Sequence, residues 1–177
     1  MNETFITSDL HFWHKNILKF CKETRPWTSV EEMNEALIAE WNSKIKPNDT
    51  VYHLGDFCFG SKQQTLDILE QLNGFKVFIT GNHDGTDIKQ ALKIHGKVYD
   101  YLEIKHRSTK LVLFHYPLAC WNGAHYNSIM LYAHCHGSFE NKGKSIDVGY
   151  DAQGKILTLD EAFDLANAKE KEILDGH

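Results

Sequence analysis

Five short apolar runs, each followed by side chains that can bind a metal ion, most constrain how this chain can fold. The runs and the polar residues after them are 5–8 with Asp9 and His11, 51–55 with Asp56, 77–81 with Asn82, 111–114 with His115, and 130–133 with His134 and His136. Short runs rich in β-branched and aromatic residues are typical of β-strands. Neighbouring strands end at a common rim, and in α/β sheets ligands bind at that rim. We therefore predict one site assembled from five strand ends.

Helical segments between these strands complete the predicted fold. Capping boxes begin amphipathic helices at Ser29, Ser61 and Thr158, and the third of these helices runs toward the C-terminus. Alternating strands and helices in the first half are typical of βαβ units with parallel strands. Residues 104–111 resemble a hairpin tip and residues 142–144 a second turn, so we expect antiparallel strands in the second half. The predicted fold class is α/β, with two mixed β-sheets packed as a sandwich and flanked by helices, in a single domain over residues 1–177.

Composition limits the classes of partner. The 177 residues, 42% hydrophobic and 24% charged, fit one ordinary globular domain. Because no apolar run could span a membrane and the first residues do not resemble a secretory signal, we expect a cytoplasmic protein with no membrane partner. The four cysteines lack Cys-x-x-Cys spacing, which favours reduced thiols. The formal net charge of -5 gives no general attraction to polyphosphate, so long nucleic acid is a disfavoured partner.

The spacing of the polar residues indicates more than one metal ion. Asp9 and His11 are two residues apart, as are His134 and His136, and on extended backbone each pair would point to one side. Asp56 follows a glycine, as Asn82 does, and a tight turn there would let the backbone approach an ion. Seven nitrogen and oxygen ligands are about the number that two divalent ions need, whereas a structural zinc needs four.

These motifs together resemble those of the calcineurin-like metallophosphoesterases. The family pattern is Asp-x-His, Gly-Asp, Gly-Asn-His-Asp or Glu, a lone His, and Gly-His-x-His. The chain has the corresponding residues in the same order, at 9–11, 55–56, 81–84, 115 and 134–136. One departure is Ala133, which stands where the family usually has Gly. The stretch 8–17 is also similar to small bacterial and phage members.

The resemblance implies a role for each of these positions. By analogy, one metal is held by Asp9, His11 and His136, the other by Asn82, His115 and His134, and Asp56 bridges both. His83 would hydrogen-bond the phosphate or protonate the leaving oxygen, with Asp84 fixing its tautomer. Two cations would neutralise the phosphate oxygens and provide a bridging hydroxide that attacks phosphorus.

The expected cofactors are therefore two divalent metal ions. We favour manganese, although iron, nickel, cobalt and zinc also suit sites of mixed imidazole and carboxylate ligands. The expected substrate is a small phosphate ester, a phosphodiester slightly favoured over a phosphomonoester. His14 follows an aromatic pair and is a candidate substrate ligand, although capping the next helix is an alternative.

Other interpretations stay open from the residues alone. A catalytically weak metal-binding scaffold on the same fold is the main alternative, and complete ligand sets argue against it. A metallo-β-lactamase-like hydrolase would need a His-x-His-x-Asp-His cluster, which the sequence lacks. Arg25 and Arg107 have forked donors suited to phosphate, but spacing does not assign them that role. Residues 116–133 could form a rim over the metals or a surface loop with a short helix.

Overall fold

A computed structural model of the protein describes residues 2–172, which fold into strands arranged in two sheets with helices around them. The strands are β1 (Thr4–Thr7), β2 (Thr50–His53), β3 (Phe75–Ile79), β4 (Gly96–Tyr99), β5 (Leu102–His106), β6 (Thr109–Leu113), β7 (Ile129–Tyr132), β8 (Ser145–Asp147) and β9 (Leu157–Thr158). The α-helices are α1 (Ile17–Phe20), α2 (Val30–Lys44), α3 (Lys62–Gln71), α4 (Thr86–His95), α5 (Tyr150–Gln153) and α6 (Leu159–Asn167).

Both sheets are mixed, which confirms the predicted fold class. The first sheet has the order β4-β3-β2-β1-β9, in which β1 to β4 are parallel and β9 is antiparallel. The second has the order β5-β6-β7-β8, in which β5 is antiparallel and the other three strands are parallel. The five strands predicted from the apolar runs are β1, β2, β3, β6 and β7.

The antiparallel strand predicted after the turn at residues 142–144 is not present, because the strand there runs parallel to its neighbour. The β5–β6 hairpin turns at Arg107 and Ser108, as expected, and both residues have a positive φ. Residues 142–144, however, do not reverse the chain into an antiparallel strand, because β8 runs parallel to β7. A parallel neighbour requires a crossover connection, and residues 133–144 provide it. That crossover carries His134 and His136.

Alternation along the strands divides the core into layers. Ile6 of β1 packs with Leu111 and Leu131 of the second sheet, in a buried cluster that also contains residues of α6. The neighbouring Phe5 faces the other way, into a cluster with Trp41 of α2 and residues of α3 and α4. Successive strand side chains point to opposite faces, so the first sheet is covered by the second sheet on one side and by helices on the other.

Helix ends follow the predicted capping residues. The side chain of Ser29 accepts a hydrogen bond from the Glu32 backbone N–H, and complete capping boxes begin α3 at Ser61 and α6 at Thr158. The last helix begins at Leu159, as the capping residue predicts, and ends at Asn167. Within residues 2–172, none of the helices has the length and apolar character needed to cross a membrane.

Candidate metal centre

The polar residues after the five strands converge where the two sheets meet. One ligand atom from each of Asp9, His11 and His136 lies within 4.8 Å of the other two, and the same is true of Asp56, His115 and His134. The first sheet thus contributes to both groups, and so does the second. Three nitrogen and oxygen ligands in each group suit a divalent cation.

Asp56 lies between the two groups. Its Oδ2 atom is 3.8 Å from Nε2 of His11 and 3.5 Å from Nε2 of His115. Asn82 joins the second group, because its Oδ1 is 3.0 Å from the same His115 nitrogen. All seven residues predicted as metal ligands therefore lie in one place.

The backbone that brings them together is not the extended one expected from the two-residue spacing. Strands β1 and β7 end at Thr7 and Tyr132, before the ligands begin. Five of the seven residues have left-handed backbone, with φ of 53° at Asp9, 53° at His11, 54° at Asp56, 72° at His134 and 48° at His136. This conformation is uncommon for residues other than glycine and concentrates at functional sites. Both pairs lie in this candidate site, but the extended geometry predicted for them is wrong.

Hydrogen bonds on the far side of two histidine rings orient them. The Nδ1 atom of His115 donates to the carbonyl oxygen of Leu54 at 2.7 Å, so Nε2 faces Asp56 and Asn82. In His11, Nδ1 lies 3.0 Å from Nδ1 of His14, which again leaves Nε2 toward the carboxylates. Metal-binding histidines are commonly held this way, with the second nitrogen on an orienting partner.

Two buried atoms at the centre have no hydrogen-bond partner among the described residues, namely Oδ1 of Asp9 and Nε2 of His11. Buried polar atoms are nearly always satisfied, so an orphaned oxygen and nitrogen side by side indicate a missing partner. A cation would satisfy both. The donor set therefore fits the divalent ions that the sequence predicts.

Electrostatics differ between the two carboxylates. Burial raises the pKa of Asp9 to about 7. Burial acts the same way on Asp56, but the hydrogen bond and positive charge of His115 outweigh it and hold the Asp56 pKa at about 2. The pKa of His115 is raised in turn, although burial opposes the shift, by its contact with Asp56 and the charge of Asp9. Without a cation the His115 ring thus favours a proton, which a bound metal would displace.

Glycines allow the loops after β2 and β3 to approach closely. A Cβ atom on Gly81 would lie 2.1 Å from Oδ1 of Asp56, and one on Gly55 would lie 2.6 Å from Nδ1 of His115. Gly55 also has a φ of 106°, which other residues rarely adopt. These two positions accept only glycine, as the tight turns predicted from the sequence require.

Asp84 holds the same two loops together. Its carboxylate, 3% exposed, accepts hydrogen bonds from the backbone N–H groups of Asp56, Phe57 and Gly81 at 2.9, 3.0 and 2.8 Å. The expected bond from Asp84 to the His83 ring is not among the hydrogen bonds of the described residues. His83 is exposed, and its backbone N–H donates to Oδ1 of Asp56 at 2.9 Å.

A cleft of about 680 Å³ opens beside the ligands, and His14 and His83 both line it. The His14 ring stacks on Phe59 with centroids 3.8 Å apart and planes at 7°, and the Phe59 ring lies 4.7 Å from that of His83. His14 therefore reaches the cleft and also contacts His11. Phe59 also lines the cleft, although no sequence motif pointed to it.

Neither arginine is placed to clamp phosphate. Arg25 is 1% exposed and its guanidinium is bound to Asp151 and to two backbone carbonyls. Arg107 lies at the β5–β6 hairpin tip and pairs with Asp160 and Asp164. Asp151 was not selected from the sequence; it lies in α5, shortly after β8, and contacts Arg25 and His136.

Cys21, His136 and Asp151 form a third group of potential ligand atoms within 4.8 Å of one another. In this group Nδ1 of His136 is already bound to Asp151 at 2.7 Å. Burial and the charge of Asp151 also raise the pKa of the Cys21 thiol to about 11, which disfavours the thiolate that metals bind. Asp151 therefore orients the His136 ring, and these three residues are poorly suited to bind a separate ion.

Residues 116–128 form a surface segment with a short 3-10 helix at Ala124–Tyr126, whereas residues 129–133 are the buried strand β7 and the residue after it. Trp121 is buried against Val112, Met130 and Tyr132 on the outer face of the second sheet. The segment covers that sheet, which matches the surface-loop alternative. At the start of this segment, the Tyr116 ring lies 4.7 Å from that of His134.

Comparison with known proteins identifies the family of this chain. The family model for calcineurin-like phosphoesterases matches residues 4–177. The chain belongs to this family, whose members hydrolyse phosphate esters with divalent metal ions.

Individual relatives match along most of their length. An uncharacterized protein of Methanocaldococcus jannaschii, MJ1445, is 34% identical over 90% of this chain and 89% of its own. The gene 66 protein of Mycobacterium phage L5 is 28% identical over 94% of this chain and 95% of its own. The crystal structure of AQ665 from Aquifex aeolicus, a protein of unknown function, is similar with a TM-score of 0.73 and 26% identity, over 93% of this chain and 100% of that one.

Proposed function

We propose that this protein is a dinuclear metal-dependent phosphoesterase that hydrolyses a small phosphodiester or phosphomonoester, with the diester favoured. The observation that carries the proposal is the pairing of two ligand groups around one carboxylate. Asp56 lies within 4 Å of a histidine nitrogen from each group, at 3.8 Å from His11 and 3.5 Å from His115.

Each ligand residue has a task that its surroundings support. When bound, two divalent cations would offset the negative charge of a phosphate ester and lower the pKa of a water molecule for attack. Asp56 is ionised at neutral pH because its pKa is about 2, so it can serve both groups. Asp9, His11 and His136 would hold one cation, and Asn82, His115 and His134 the other.

His83 is the proposed acid for the leaving oxygen. It lines the cleft, and its backbone N–H is fixed by Asp56, which places an imidazole beside the ligand groups. A histidine there can hydrogen-bond a phosphate oxygen or donate a proton as the ester bond breaks. Asp84 would position these residues, because its carboxylate accepts three backbone hydrogen bonds that hold the loops carrying Asp56 and His83.

The remaining proposals concern the substrate, the preferred metal ion and the cellular location. We propose that His14 contacts the substrate from the cleft wall, that manganese is the preferred ion, and that the chain acts as one domain in the cytoplasm. A small phosphate ester fits a cleft of about 680 Å³ in a chain of net charge -5 better than long nucleic acid does.

A hydrolysis panel tests the function. Chelator-stripped protein is supplied separately with Mn²⁺, Fe²⁺, Ni²⁺, Co²⁺ or Zn²⁺ and assayed on phosphomonoesters, linear phosphodiesters and cyclic nucleotides. We expect no turnover without metal and a loss of at least about 100-fold in Asp56→Asn, because the shared carboxylate is removed. Asp49→Asn is the control, since Asp49 accepts backbone N–H groups of Glu3 and Lys46 and belongs to neither ligand group. Metal binding without hydrolysis of any substrate would favour the scaffold alternative.

His83→Ala separates acid catalysis from metal binding. We expect turnover to fall by about 100-fold, within the range of general acid catalysis, while the metal content measured by mass spectrometry stays at the wild-type value. The loss should be smaller for esters whose leaving group is already a weak base, such as a nitrophenol. Equal loss of metal and activity would instead make His83 a ligand.

A further inference from the structure

The buried pair of Arg25 and Asp151 lies directly behind one of the two ligand groups. Both side chains are at most 1% exposed. The guanidinium donates to both carboxylate oxygens, from Nε to Oδ1 at 2.9 Å and from Nη2 to Oδ2 at 3.0 Å. Burying such a pair is costly unless its remaining hydrogen bonds are made, so its other partners are informative.

On the Asp151 side the pair reaches His136. Oδ2 of Asp151 is 2.7 Å from Nδ1 of His136, and Oδ1 accepts the hydroxyl of Thr24 at 2.5 Å. The carboxylate is an acceptor, already bound by Arg25, so Nδ1 of His136 must carry the hydrogen in this contact. That tautomer leaves the lone pair on Nε2, which is the form a metal ligand needs.

On the Arg25 side the same pair reaches Asp9. Nη2 donates to the Asp9 carbonyl at 2.6 Å and Nη1 donates to the Leu10 carbonyl at 2.9 Å. These carbonyls belong to the turn in which Asp9 adopts its left-handed φ of 53°. One guanidinium therefore fixes the backbone of one ligand and, through Asp151, the ring of another that lies 127 residues away in the sequence.

We propose that Arg25 and Asp151 are positioning residues that set the metal affinity of the Asp9, His11 and His136 group and leave the Asp56, His115 and His134 group unaffected. The second group is oriented by other atoms, since His115 donates to the Leu54 carbonyl. The inference rests on the proposed function, because it assumes that the first group binds a cation. It gives Arg25 a role distinct from direct contact with phosphate.

A double-mutant cycle on metal binding tests the proposal. Mn²⁺ is titrated into chelator-stripped protein by calorimetry for wild type, Asp151→Asn, His136→Ala and the double variant. Loss of an orienting partner typically weakens metal affinity 10- to 100-fold, and we expect a loss of this size in Asp151→Asn for one site of two. In the His136→Ala background the same substitution should have no further effect on Mn²⁺ affinity, because the ring it orients is gone.

A merely structural role would give a different pattern. Asp151→Asn would then lower the melting temperature and weaken both sites or neither, irrespective of His136. The tautomer gives an independent readout in metal-free protein, since the imidazole ¹⁵N shifts of His136 should show hydrogen on Nδ1 in wild type and a mixture in Asp151→Asn. Unchanged shifts and affinity would overturn the proposal.

Two further arms keep the test decisive. If Asp151→Asn does not fold, Arg25→Lys in the same cycle replaces it; the lysine keeps the charge but cannot span the carboxylate and both carbonyls, so the first site should again be weakened selectively. Asp49→Asn is the matched control and should leave both affinities unchanged. Wild-type protein that binds no metal would contradict the proposed function, whereas normal wild-type binding with unaltered variants contradicts only this inference.

Discussion

The carboxyl group of Asp9 is buried, and only one of its two oxygens accepts a hydrogen bond from the residues that the structure describes. Oδ2 accepts the backbone N–H of His134 at 3.0 Å, whereas Oδ1 has no hydrogen-bond partner within residues 2–172. Burial consequently raises its pKa from 3.8 to about 7. In the absence of a cation this residue opposes folding whenever it is ionised.

The first prediction concerns the pH dependence of metal-free protein. A raised folded-state pKa means that the folded chain binds more protons than the unfolded chain between about pH 4 and 7, so the Asp9 contribution to stability falls as pH rises through that window. The full shift corresponds to about 4 kcal/mol. In EDTA, Asp9→Asn should therefore lose less unfolding free energy than wild type between pH 4.5 and 7.5, as measured by urea denaturation.

Asp49→Asn is again the control for this measurement. The backbone N–H groups of Glu3 and Lys46 lower the Asp49 pKa, so Asp49 stays ionised across the window and its replacement should leave the slope unchanged. An Asp9→Asn variant with the wild-type slope would show that Asp9 titrates normally.

The sequence selected the candidate ligands but not the residues that support them. Asp9, Asp56 and the histidines could be selected because their types, order and positions after apolar runs all point to metal chemistry. The roles of Asp84 and Arg25 depend on hydrogen bonds to residues far away in the chain, such as Asp84 to Phe57 and Arg25 to Asp151. No local pattern encodes such partners.

Among the structural elements, the loops after β2 and β3 are the most tightly coupled. Gly81 lies against Asp56, and Asp84 bonds the backbone of both loops. Any side chain at position 81 must move the Asp56 carboxylate.

The second prediction follows from that contact. Gly81→Ala would place a Cβ 2.1 Å from Oδ1 of Asp56, so the loops must separate. We expect a loss of about 1–3 kcal/mol of unfolding free energy, typical of overpacking, together with loss of high-affinity Mn²⁺ binding. Thermal unfolding and calorimetry measure the two effects.

Gly85→Ala provides the matched comparison from the same loop. A Cβ there would meet nothing within 4 Å, and the residue has a φ of -64°. Mn²⁺ affinity should be preserved, with only a small change in stability at this helix N-cap. Similar Mn²⁺ affinities for the two variants would argue against the close approach of the loops.

Element positions were predicted more accurately than the backbone that connects them. The apolar runs located β1, β2, β3, β6 and β7 because strands need such runs to bury a face. The ligand turns could not be predicted, because a spacing of two residues looks the same in an extended strand and in a left-handed turn. The direction of β8 depended on the path of the crossover, which local turn residues do not specify.

Across the whole molecule, the candidate metal centre draws its residues from both sheets. Asp9, His11, Asp56 and Asn82 follow strands of the first sheet, whereas His115, His134 and His136 follow strands of the second. A bound cation in either group would therefore connect the two layers in addition to their shared apolar core.

The third prediction is that metal ions stabilise the fold. A ligand that binds only the folded state adds about 2.7 kcal/mol at 100 times its Kd, so one filled site should raise the melting temperature by roughly 5–10 °C. Differential scanning calorimetry with Mn²⁺ and after EDTA addition measures the shift. Asp56→Asn should lose most of it, and Asp49→Asn should retain it. A melting temperature indifferent to Mn²⁺ and to EDTA would count against two cations at the sheet junction.

The overall architecture was accessible from the sequence because its determinants are repeated many times along the chain. The apolar runs of β1, β6 and β7 and the capping residues of α2, α3 and α6 all favour the same layered arrangement. The division of ligands between two sheets was not accessible, because strand pairing fixes which runs become neighbours. We expected the candidate ligands at the rim of one sheet, whereas they lie where the rims of two sheets meet.

The left-handed turns at five ligand positions also affect how the protein would respond to selection for heat resistance. Each such residue costs on the order of 1–3 kcal/mol, and glycine or asparagine relieves much of that cost. A directed-evolution experiment that rewards thermal survival alone, with a chelator present so that no bound metal stabilises the fold, should therefore accumulate glycine and asparagine at the positions of His11 and His134 early. Screening for hydrolysis in the same rounds would keep the histidines and push stabilising changes elsewhere.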